Sequence, residues 1–261
     1  LEPEKISNYN LLKLYGDIDQ EYSDIRNLEV LQKTFDRVKP DIVFHLAAQA
    51  LVKKSYANPV ETFETNINGS VNILNCVLKS KSVKSLVYIT SDKCYENKEW
   101  VWGYREIDEL GGKDPYSASK ACAEIVFSSY LRSFEFSKQN KGIASARAGN
   151  VIGGGDFSDN RLVPDCIRAV ETKKDLVIRN PNSTRPWQHV LEPLSGYIKL
   201  SKFLYNDPTY SGAWNFGPQA SKLGSVQEIA TGILKYFDKT NITFDNNDNS
   251  HFESNLLQLN C

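Results

Sequence analysis

The residues with the most specific chemistry lie between positions 90 and 120. Tyr116 and Lys120 are four positions apart, a spacing that places two side chains on the same face of a helix. A phenol with a pKa of about 10 is a poor base at neutral pH, but a neighbouring ammonium lowers that pKa. A hydroxyl group from Thr90 or Ser91 could hold the reacting oxygen of a substrate against the tyrosine. This stretch therefore predicts a tyrosine that acts as a base on a substrate oxygen.

The spacing alone is a weak indication, because Tyr9 and Lys13 form another Tyr-x-x-x-Lys pair earlier in the chain. An aromatic and a charged residue on a surface helix would give the same pattern. The earlier pair has no hydroxyl-bearing strand before it, and we expect no helix cap there. The later pair follows Asp114, a good N-cap residue, and Pro115, which suits the first position of a helix. The later pair is therefore the better candidate.

The elements that must position this pair alternate between strands and helices. Apolar runs predict strands at 41–46, 86–90 and 142–148, and apolar periodicity predicts helices at 27–38, 59–80 and 115–136. Alternation of this kind predicts an α/β fold with a doubly wound, Rossmann-like parallel sheet. In such sheets ligands bind at the carboxyl ends of the strands. We expect one shared site from the segments that follow the three strands, Ala47–Ala50, Ser91–Lys93 and Gly149–Asn150.

The character of the sequence changes after residue 150. The glycines at 153–155 predict a connection rather than a phosphate cradle, because the G-x-G-x-x-G spacing is missing. Arg185 carries a planar fork suited to phosphate oxygens, although an ordinary surface arginine is the alternative. The remaining predictions are a short strand at 11–15, a helix at 163–172, a strand at 176–179, a strand and turn at 214–218, a helix at 225–237 and a mostly irregular tail from 238.

The composition limits the classes of function. A chain of 261 residues can bury a full core, and its net charge of −1 with dispersed basic residues argues against nucleic acid and membrane partners. No apolar run approaches the ~18–20 residues of a membrane span, and the N-terminus is too polar for a signal peptide. Five scattered cysteines without a C-x-x-C motif favour reduced thiols over disulfides or a zinc site. We expect a cytoplasmic protein without a metal and, since methionine is absent, a piece of a longer product.

Six motifs in chain order give a resemblance to a known family. They are His45–Gln49, Glu64–Gly69, Thr90–Tyr95, Pro115–Lys120, Arg147–Asp156 and Arg185–Val190. The chain resembles the extended short-chain dehydrogenase/reductases, in particular their nucleotide-sugar 4,6-dehydratases. Lysine at position 93 resembles the CDP-glucose branch of the family, because the dTDP-glucose relatives carry glutamate at the matching position. The family's first strand and glycine-rich loop, and its last helices, have no match, so we expect a chain truncated at both ends.

The resemblance implies that NAD transiently oxidises a nucleotide-sugar substrate, CDP-glucose in this branch, which then loses water. Tyr116, kept acidic by Lys120, would remove the proton of the sugar 4-hydroxyl while Ser91 holds that oxygen. Asp92 would protonate the departing 6-hydroxyl, and Lys93 would deprotonate C5. Acid and base are adjacent because they serve neighbouring carbon atoms.

Matching positions also imply binding contacts. The implied NAD contacts are Asp24, Ile25, Leu46, Ala47, Ala48, Gln49, Thr65, Tyr116, Lys120 and Val151. The implied substrate contacts are Ser91, Asn150, Arg161, Leu162, Val163, Arg185 and Asn215, with Arg185 at the diphosphate. The resemblance further implies a partial dinucleotide-binding domain at 1–150, a smaller and partial sugar-nucleotide-binding region at 151–261, and a homodimer or homotetramer.

Two other functions fit the same sequence. A nucleotide-sugar epimerase of this fold would retain Tyr116 and Lys120 but has no need for Asp92 and Lys93 after Ser91. A binding protein that kept the fold and lost its chemistry is the other alternative. The unmatched glycine-rich loop favours it, and the complete set of catalytic side chains opposes it.

Overall fold

A computed structural model of the protein describes residues 7–14, 16–218, 224–237, 241–244 and 254–261. Its helices are α1 (Asn8–Leu11), α2 (Leu28–Val38), α3 (Val52–Ala57), α4 (Pro59–Phe63), α5 (Gly69–Lys79), α6 (Pro115–Ser133), α7 (Leu162–Thr172), α8 (Leu191–Asn206) and α9 (Val226–Leu234). Its strands are β1 (Ile42–His45), β2 (Ser85–Ile89), β3 (Gly142–Ala148), β4 (Val151–Ile152), β5 (Leu176–Ile178), β6 (Thr184–Arg185), β7 (Gln188–His189), β8 (Gly212–Phe216), β9 (Gly224–Ser225) and β10 (Ile242–Phe244). In these ranges, no helix combines the length and hydropathy needed to cross a bilayer.

The centre of the fold is a parallel sheet with the strand order β1-β2-β3-β8. Its two middle strands, β2 and β3, are almost completely buried, as expected for strands that are covered on both faces. Because all of these strands run in one direction, their carboxyl ends meet at a single edge of the sheet. That edge is where the polar segments of the sequence emerge.

Helices cover both faces of this sheet. On one face, Leu86 and Tyr88 of β2 pack against α2, α5 and α6. On the other face, Val87 packs against α8 through Leu200 and Leu204. Alternate residues of one strand therefore enter two different apolar layers, as the period of a strand requires. The prediction of a doubly wound α/β fold is confirmed.

Three predictions of local structure are wrong. Residues 11–14 form no strand, since α1 ends at Leu11 and Ser7 caps it through its side chain, which also corrects the expected lack of a cap; Tyr15 lies outside the described residues. The helix predicted at 59–80 is interrupted by a π-helical turn, Glu64–Asn68, between α4 and α5. In the tail from 238, β10 pairs in parallel with β5, and residues 238–240 and 245–253 lie outside the described ranges.

Helices α3 and α8 were not predicted. Helix α8 has apolar residues at helical spacing, but Pro193 and Gly196 interrupt the pattern near its start. Its importance is clear from its position, because it covers one face of the sheet. Strand β8 belongs to the central sheet and α8 covers it, so residues beyond position 150 contribute to the same core as those before it. The domain boundary at position 150 remains a prediction.

The last described segment, 254–261, packs on the loop that follows β2. Leu257 and Leu259 lie in an apolar cluster with Tyr95 and Tyr104. The backbone N–H of Asn260 donates to the carbonyl of Tyr104 at 2.9 Å. The segment therefore holds the loop that begins at the candidate site.

Candidate active site

A cavity of about 1260 Å³ opens at the carboxyl ends of β1, β2 and β3. Helix α3, the start of α6, helix α7 and the loop after β6 complete its walls. All five cysteines are free thiols, and the described residues contain no group of three or more His, Cys, Asp or Glu side chains placed to hold a metal. The predicted site residues that line the cavity are Leu46, Ser91, Asp92, Lys93, Tyr116, Asn150, Val151, Arg161, Leu162, Val163 and Arg185.

Tyr116 is positioned by the first turn of α6. The carboxylate of Asp114 accepts hydrogen bonds from the backbone N–H of Ser117 at 2.9 Å and from the Ser117 hydroxyl at 2.5 Å. The backbone N–H of Tyr116 donates to Oγ of Ser55 at 3.1 Å. Ser55 is buried in α3, so two elements fix the backbone that carries the tyrosine. Asp114 and Pro115 therefore place the helix start where the sequence predicts it.

Ser91, Asp92 and Lys93 form a short turn at the end of β2. The Ser91 hydroxyl accepts from the backbone N–H of Lys93 at 3.2 Å and donates to Oδ1 of Asp92 at 3.0 Å. Asp92 is only 3 % exposed, and its Oδ2 has no hydrogen-bond partner among the described residues. Burial raises the pKa of this carboxyl, against the opposing effect of Lys93. Burial therefore favours the protonated form of Asp92 at the cavity wall.

Burial also controls the protonation of Tyr116 and Lys120. It raises the pKa of Tyr116 to about 12, although hydrogen bonding with Ser91 acts in the opposite direction. It lowers the pKa of Lys120 to about 8, against the opposing charge of Glu124. The expected net lowering of the phenol's pKa is not found in this structure, because the cost of burying the phenolate outweighs the effects that favour it.

The loop after β1 is braced rather than open. The backbone N–H of Gln49 donates to the side-chain carbonyl of Asn66 at 2.8 Å, and Asn66 Nδ2 donates back to the carbonyl of Gln49 at 3.0 Å. Asn66 also donates to Ser119 of α6 at 2.8 Å. Leu46 at the start of this loop lines the cavity, whereas Ala47, Ala48 and Gln49 do not. The Gln49 side chain supports the loop by bonding the carbonyl of Leu51.

Four further predicted contacts lie off the cavity wall. Asp24 is paired with Arg26 at 2.6 Å, and Ile25 packs against the core below the sheet. Thr65 lies in the π-helical turn. Lys120 is 5 % exposed and makes no hydrogen bond with the described residues. The proposed cofactor roles of these residues stay predictions.

Asn215 is placed differently from the prediction. Its Oδ1 accepts from the Tyr95 hydroxyl at 2.7 Å, and its Nδ2 donates to the carbonyls of Tyr104 at 2.7 Å and Asn260 at 3.0 Å. It does not line the cavity. The amide is fully used in joining β8 to the loop and to the last segment, so direct contact with a substrate is not supported by this geometry.

Sequence reasoning missed a buried ion pair behind the site. Glu124 and Arg147 are joined at 2.6 Å, with side chains that are 1 % and 5 % exposed. Glu124 follows Lys120 by four residues and Tyr116 by eight. Tyr116, Lys120 and Glu124 share one face of α6, and a carboxylate on the same face as the catalytic pair was the sequence signal for this ion pair.

Comparisons with known proteins agree with this geometry. A family profile described as GDP-mannose 4,6 dehydratase matches residues 4–206. The chain is 45 % identical to a CDP-glucose 4,6-dehydratase from Salmonella typhimurium, over 98 % of this chain and 72 % of that protein. Pal from Bacillus thuringiensis shares the fold with a TM-score of 0.81 and 20 % identity, over 97 % of this chain and 78 % of that chain. A double mutant of the dTDP-glucose 4,6-dehydratase DesIV from Streptomyces venezuelae, with NAD bound, has a TM-score of 0.77 and 20 % identity, over 96 % of this chain and 74 % of that chain. The chain belongs to the GDP-mannose 4,6 dehydratase family.

Proposed function

We propose that the protein dehydrates CDP-glucose to CDP-4-dehydro-6-deoxyglucose with NAD as cofactor. The observation that carries this proposal is the buried Asp92 carboxyl at the cavity wall, whose pKa is raised and which lies between Ser91 and Lys93. A dehydratase needs a proton donor for the departing hydroxyl, whereas an epimerase does not. The 45 % identity to the Salmonella enzyme supports the choice of CDP-glucose.

The residues at one end of the cavity fit the nicotinamide riboside portion of NAD. Lys120 is a buried ammonium that lacks a hydrogen bond to the described residues, and Tyr116 lies one turn before it at the cavity wall. Leu46 offers an apolar surface that is 55 % exposed. When bound, NAD supplies the acceptor and later the donor of the hydride. Leu46 to Ala50, Thr65 and Val151 would hold it together with Tyr116 and Lys120, and Asp24 and Ile25 would lie toward the adenine.

Ser91 and Tyr116 act on the 4-hydroxyl of the hexose. Ser91 orients the hydroxyl oxygen, and Tyr116 takes the proton as C4 is oxidised. Hydrogen bonding from Ser91 favours the phenolate, and the charge of Lys120, one helical turn away, acts in the same direction. The 4-ketone is retained in the product, so the proton taken by Tyr116 is released to solvent. After water is lost, C5 would regain a proton from Lys93 while C6 receives the hydride that the bound cofactor would return.

Asp92 and Lys93 act on the neighbouring carbons. The 4-ketone makes the C5 proton acidic, and Lys93 at the cavity wall removes it, directly or through a water. Asp92 gives its proton to the 6-hydroxyl, which leaves as water. Burial raises the pKa of the Asp92 carboxyl, which favours the protonated form that this step requires.

The other end of the cavity would hold the nucleotide. Arg185 is buried in the wall, and its fork suits the diphosphate. Arg161 pairs with Asp156 at 3.3 Å and lies at the start of α7 with Leu162 and Val163. Asn150 also lines the cavity. The volume of about 1260 Å³ exceeds the roughly 300–1,000 Å³ of most small-molecule sites, which leaves room for a substrate beside a dinucleotide.

We also propose that the protein pairs through α4, α5 and α6, as the sequence resemblance implies. Val60 on α4 and Ile125 on α6 are 69 % and 56 % exposed, which supports an apolar contact there. Assembly as a homodimer or homotetramer, and a cytoplasmic location, stay predictions.

Replacement of Asp92 by asparagine tests the proposed reaction. Asp92→Asn keeps the size of the side chain and removes the acidic proton, so we expect the rate of 4-keto-6-deoxy sugar formation to fall by at least about 10²-fold, as for loss of a general acid. The alkaline absorbance of the keto sugar, after incubation with CDP-glucose and NAD, measures the product. Binding of NAD should be unchanged.

Asp108→Asn is the matched control. Asp108 lies in the same loop, accepts from the backbone N–H of Arg105 at 2.8 Å and is away from the cavity, so its variant should retain activity within about twofold. Full product formation by Asp92→Asn would contradict a dehydratase and favour an epimerase. Failure of the unaltered protein to bind NAD would favour the inactive binding protein.

A further inference from the structure

A buried carboxylate on α6 links the proposed catalytic groups to the sheet. Glu124 is 1 % exposed and accepts hydrogen bonds at both oxygens. Its Oε1 accepts from the Thr90 hydroxyl, and its Oε2 accepts from Ser145 at 2.9 Å and from Nη2 of Arg147 at 2.6 Å. Charge-assisted hydrogen bonds of this kind are the strong ones in proteins. The carboxylate is therefore held from two strands, β3 and the end of β2.

These bonds reach the catalytic turn. Thr90 immediately precedes Ser91, so the bond from Thr90 to Glu124 ties the end of β2 to the helix that carries Tyr116. Ser145 and Arg147 tie the same carboxylate to β3. The distance between Ser91 and Tyr116 thus depends on a residue that touches neither of them.

Arg147 is fixed at its other side. Its Nη1 donates to the Tyr95 hydroxyl at 2.9 Å and to the carbonyl of Glu106 at 3.0 Å, and its guanidinium lies 5.0 Å from the centre of the Tyr95 ring. The Tyr95 hydroxyl in turn donates to Asn215. Arg147 therefore holds the carboxylate of Glu124 in one place and is itself held by the loop after β2.

The carboxylate also lies one helical turn after Lys120 on α6. By charge effect or by spacing, the neighbours of the ammonium are His45 of β1, Cys94 of the turn after β2, and Tyr116 and Glu124 of α6, and Arg147 of β3 is paired with Glu124 at 2.6 Å. Burial lowers the pKa of His45 to about 4 and raises the pKa values of the Cys94 thiol and the Tyr116 phenol, so these three are neutral near pH 7. Glu124 is the charge that opposes the effect of burial on Lys120.

We infer that Glu124, held by Arg147, is a positioning residue that keeps Lys120 an ammonium and fixes Ser91 relative to Tyr116. This inference rests on the proposed function, because it assigns a role in that chemistry to a residue behind the site. Without the carboxylate, Lys120 would lose its proton at a lower pH. The tyrosine would then lose the positive charge that favours its phenolate.

The test compares Glu124→Gln, Glu124→Asp and the double variant Glu124→Gln with Arg147→Met. The single glutamine variant leaves the guanidinium buried without a counter-charge, which is strongly destabilising; the double variant removes both charges and keeps the protein available for measurement. We expect the alkaline limb of the kcat–pH profile to move down by about one pH unit or more in Glu124→Gln. The shift should be smaller in the double variant, because loss of the Arg147 cation partly offsets loss of the carboxylate. Glu124→Asp retains the anion and should keep the limb of the unaltered protein, even where its rate is lower.

The pKa of Lys120 is measured independently of activity. Lysine labelled with ¹³C at Cε is followed by NMR through a pH titration, with the Lys120 resonance assigned by its absence from Lys120→Met. A fall of about one unit in folded Glu124→Gln, or a smaller fall in the folded double variant, with no fall in Glu124→Asp, supports the inference. An unchanged pKa in the folded double variant, or an unshifted alkaline limb with only a uniform loss of rate, overturns it. If the unaltered protein does not turn over CDP-glucose, the proposed function fails, and the titration still decides the role of Glu124.

Discussion

The two Tyr-x-x-x-Lys pairs have the same spacing and different surroundings. Tyr116 and Lys120 are 8 % and 5 % exposed and lie on a helix of 19 residues. Tyr9 is half-buried and Lys13 is exposed, and the helix α1 that contains Tyr9 has four residues. Lys13 has a φ of +52°, so it lies beyond the helix and cannot share a helical face with Tyr9.

The difference shows that the Tyr-x-x-x-Lys spacing brings the two side chains onto one face only where a helix extends through both residues. A helix of one turn fixes few residues and has little stability of its own. Helix α6 is anchored by Asp114, Ser55 and Glu124, and its burial changes the pKa values of both members of the pair. The chemistry therefore comes from the anchored, water-free surroundings rather than from the motif.

The largest expected difference between the pairs is in catalysis. Tyr116→Phe removes the hydroxyl that exchanges a proton with the substrate, so kcat for formation of the keto sugar should fall by about 10²- to 10⁴-fold. Tyr9→Phe removes a hydroxyl that donates to Gln20 near the surface, and kcat should stay within about twofold. Both rates are measured with saturating CDP-glucose and NAD.

Comparable losses in the two phenylalanine variants would break this comparison. They would mean that the earlier pair contributes to the site or to its assembly. An unchanged rate in Tyr116→Phe would instead remove the tyrosine from the proposed mechanism. Thermal unfolding of both variants separates a loss of chemistry from a loss of fold.

A buried lysine also affects its neighbours, and His45 reports that effect. Burial, with a smaller contribution from the charge of Lys120, lowers the pKa of His45 from 6.5 to about 4. The unfolded chain then binds more protons than the folded protein between those pH values, so stability falls as the pH falls from 6.5 to 4. His45→Phe keeps an aromatic ring against Tyr88, which lies 5.2 Å away, and removes the titrating group.

We expect the unaltered protein to lose on the order of 3 kcal/mol more of its unfolding free energy across this pH window than His45→Phe. Urea unfolding at a series of pH values measures the difference. Equal slopes in the two proteins would show that burial of His45 does not contribute to the pH dependence of stability.

The sequence was sufficient for the elements around the later pair. The strand at 142–148 and the start of α6 at Pro115 lie where they were predicted, because local residues decide them: a short stretch of mostly small and apolar residues, and an Asp-Pro helix start. Leu46, Ser91, Tyr116 and Asn150 meet at the cavity because parallel strands bring their carboxyl ends to one edge. Simple topology therefore predicted the location of the site.

The parts that could not be predicted depend on distant partners. A side-chain amide such as that of Gln49 or Asn215 can bond a ligand or another part of the protein. Here the Gln49 amide bonds Leu51 and Thr62, and the Asn215 amide bonds the carbonyls of Tyr104 and Asn260. The strand β10 exists because it pairs with β5, not because its own sequence is strongly apolar. The effect of burial on the pKa of Tyr116 likewise depends on the complete fold.

The smallest expected difference concerns the caps of the two helices. Asp114 accepts from the backbone N–H of Ser117 at 2.9 Å, and Ser7 accepts from that of Asn10 at 3.3 Å. Asp114→Ala should lower the unfolding free energy by about 1–2 kcal/mol, the usual cost of losing an N-cap.

Ser7→Ala should lower it by at most about 0.5 kcal/mol, the low end for such caps, because α1 buries none of its residues and its loss exposes little. Urea midpoints at equal m-values give both changes. If Ser7→Ala costs as much as Asp114→Ala, the earlier pair belongs to a structured part of the folded protein. The Tyr-x-x-x-Lys spacing alone would then indicate a structured pair more reliably than the different burial of the two pairs suggests.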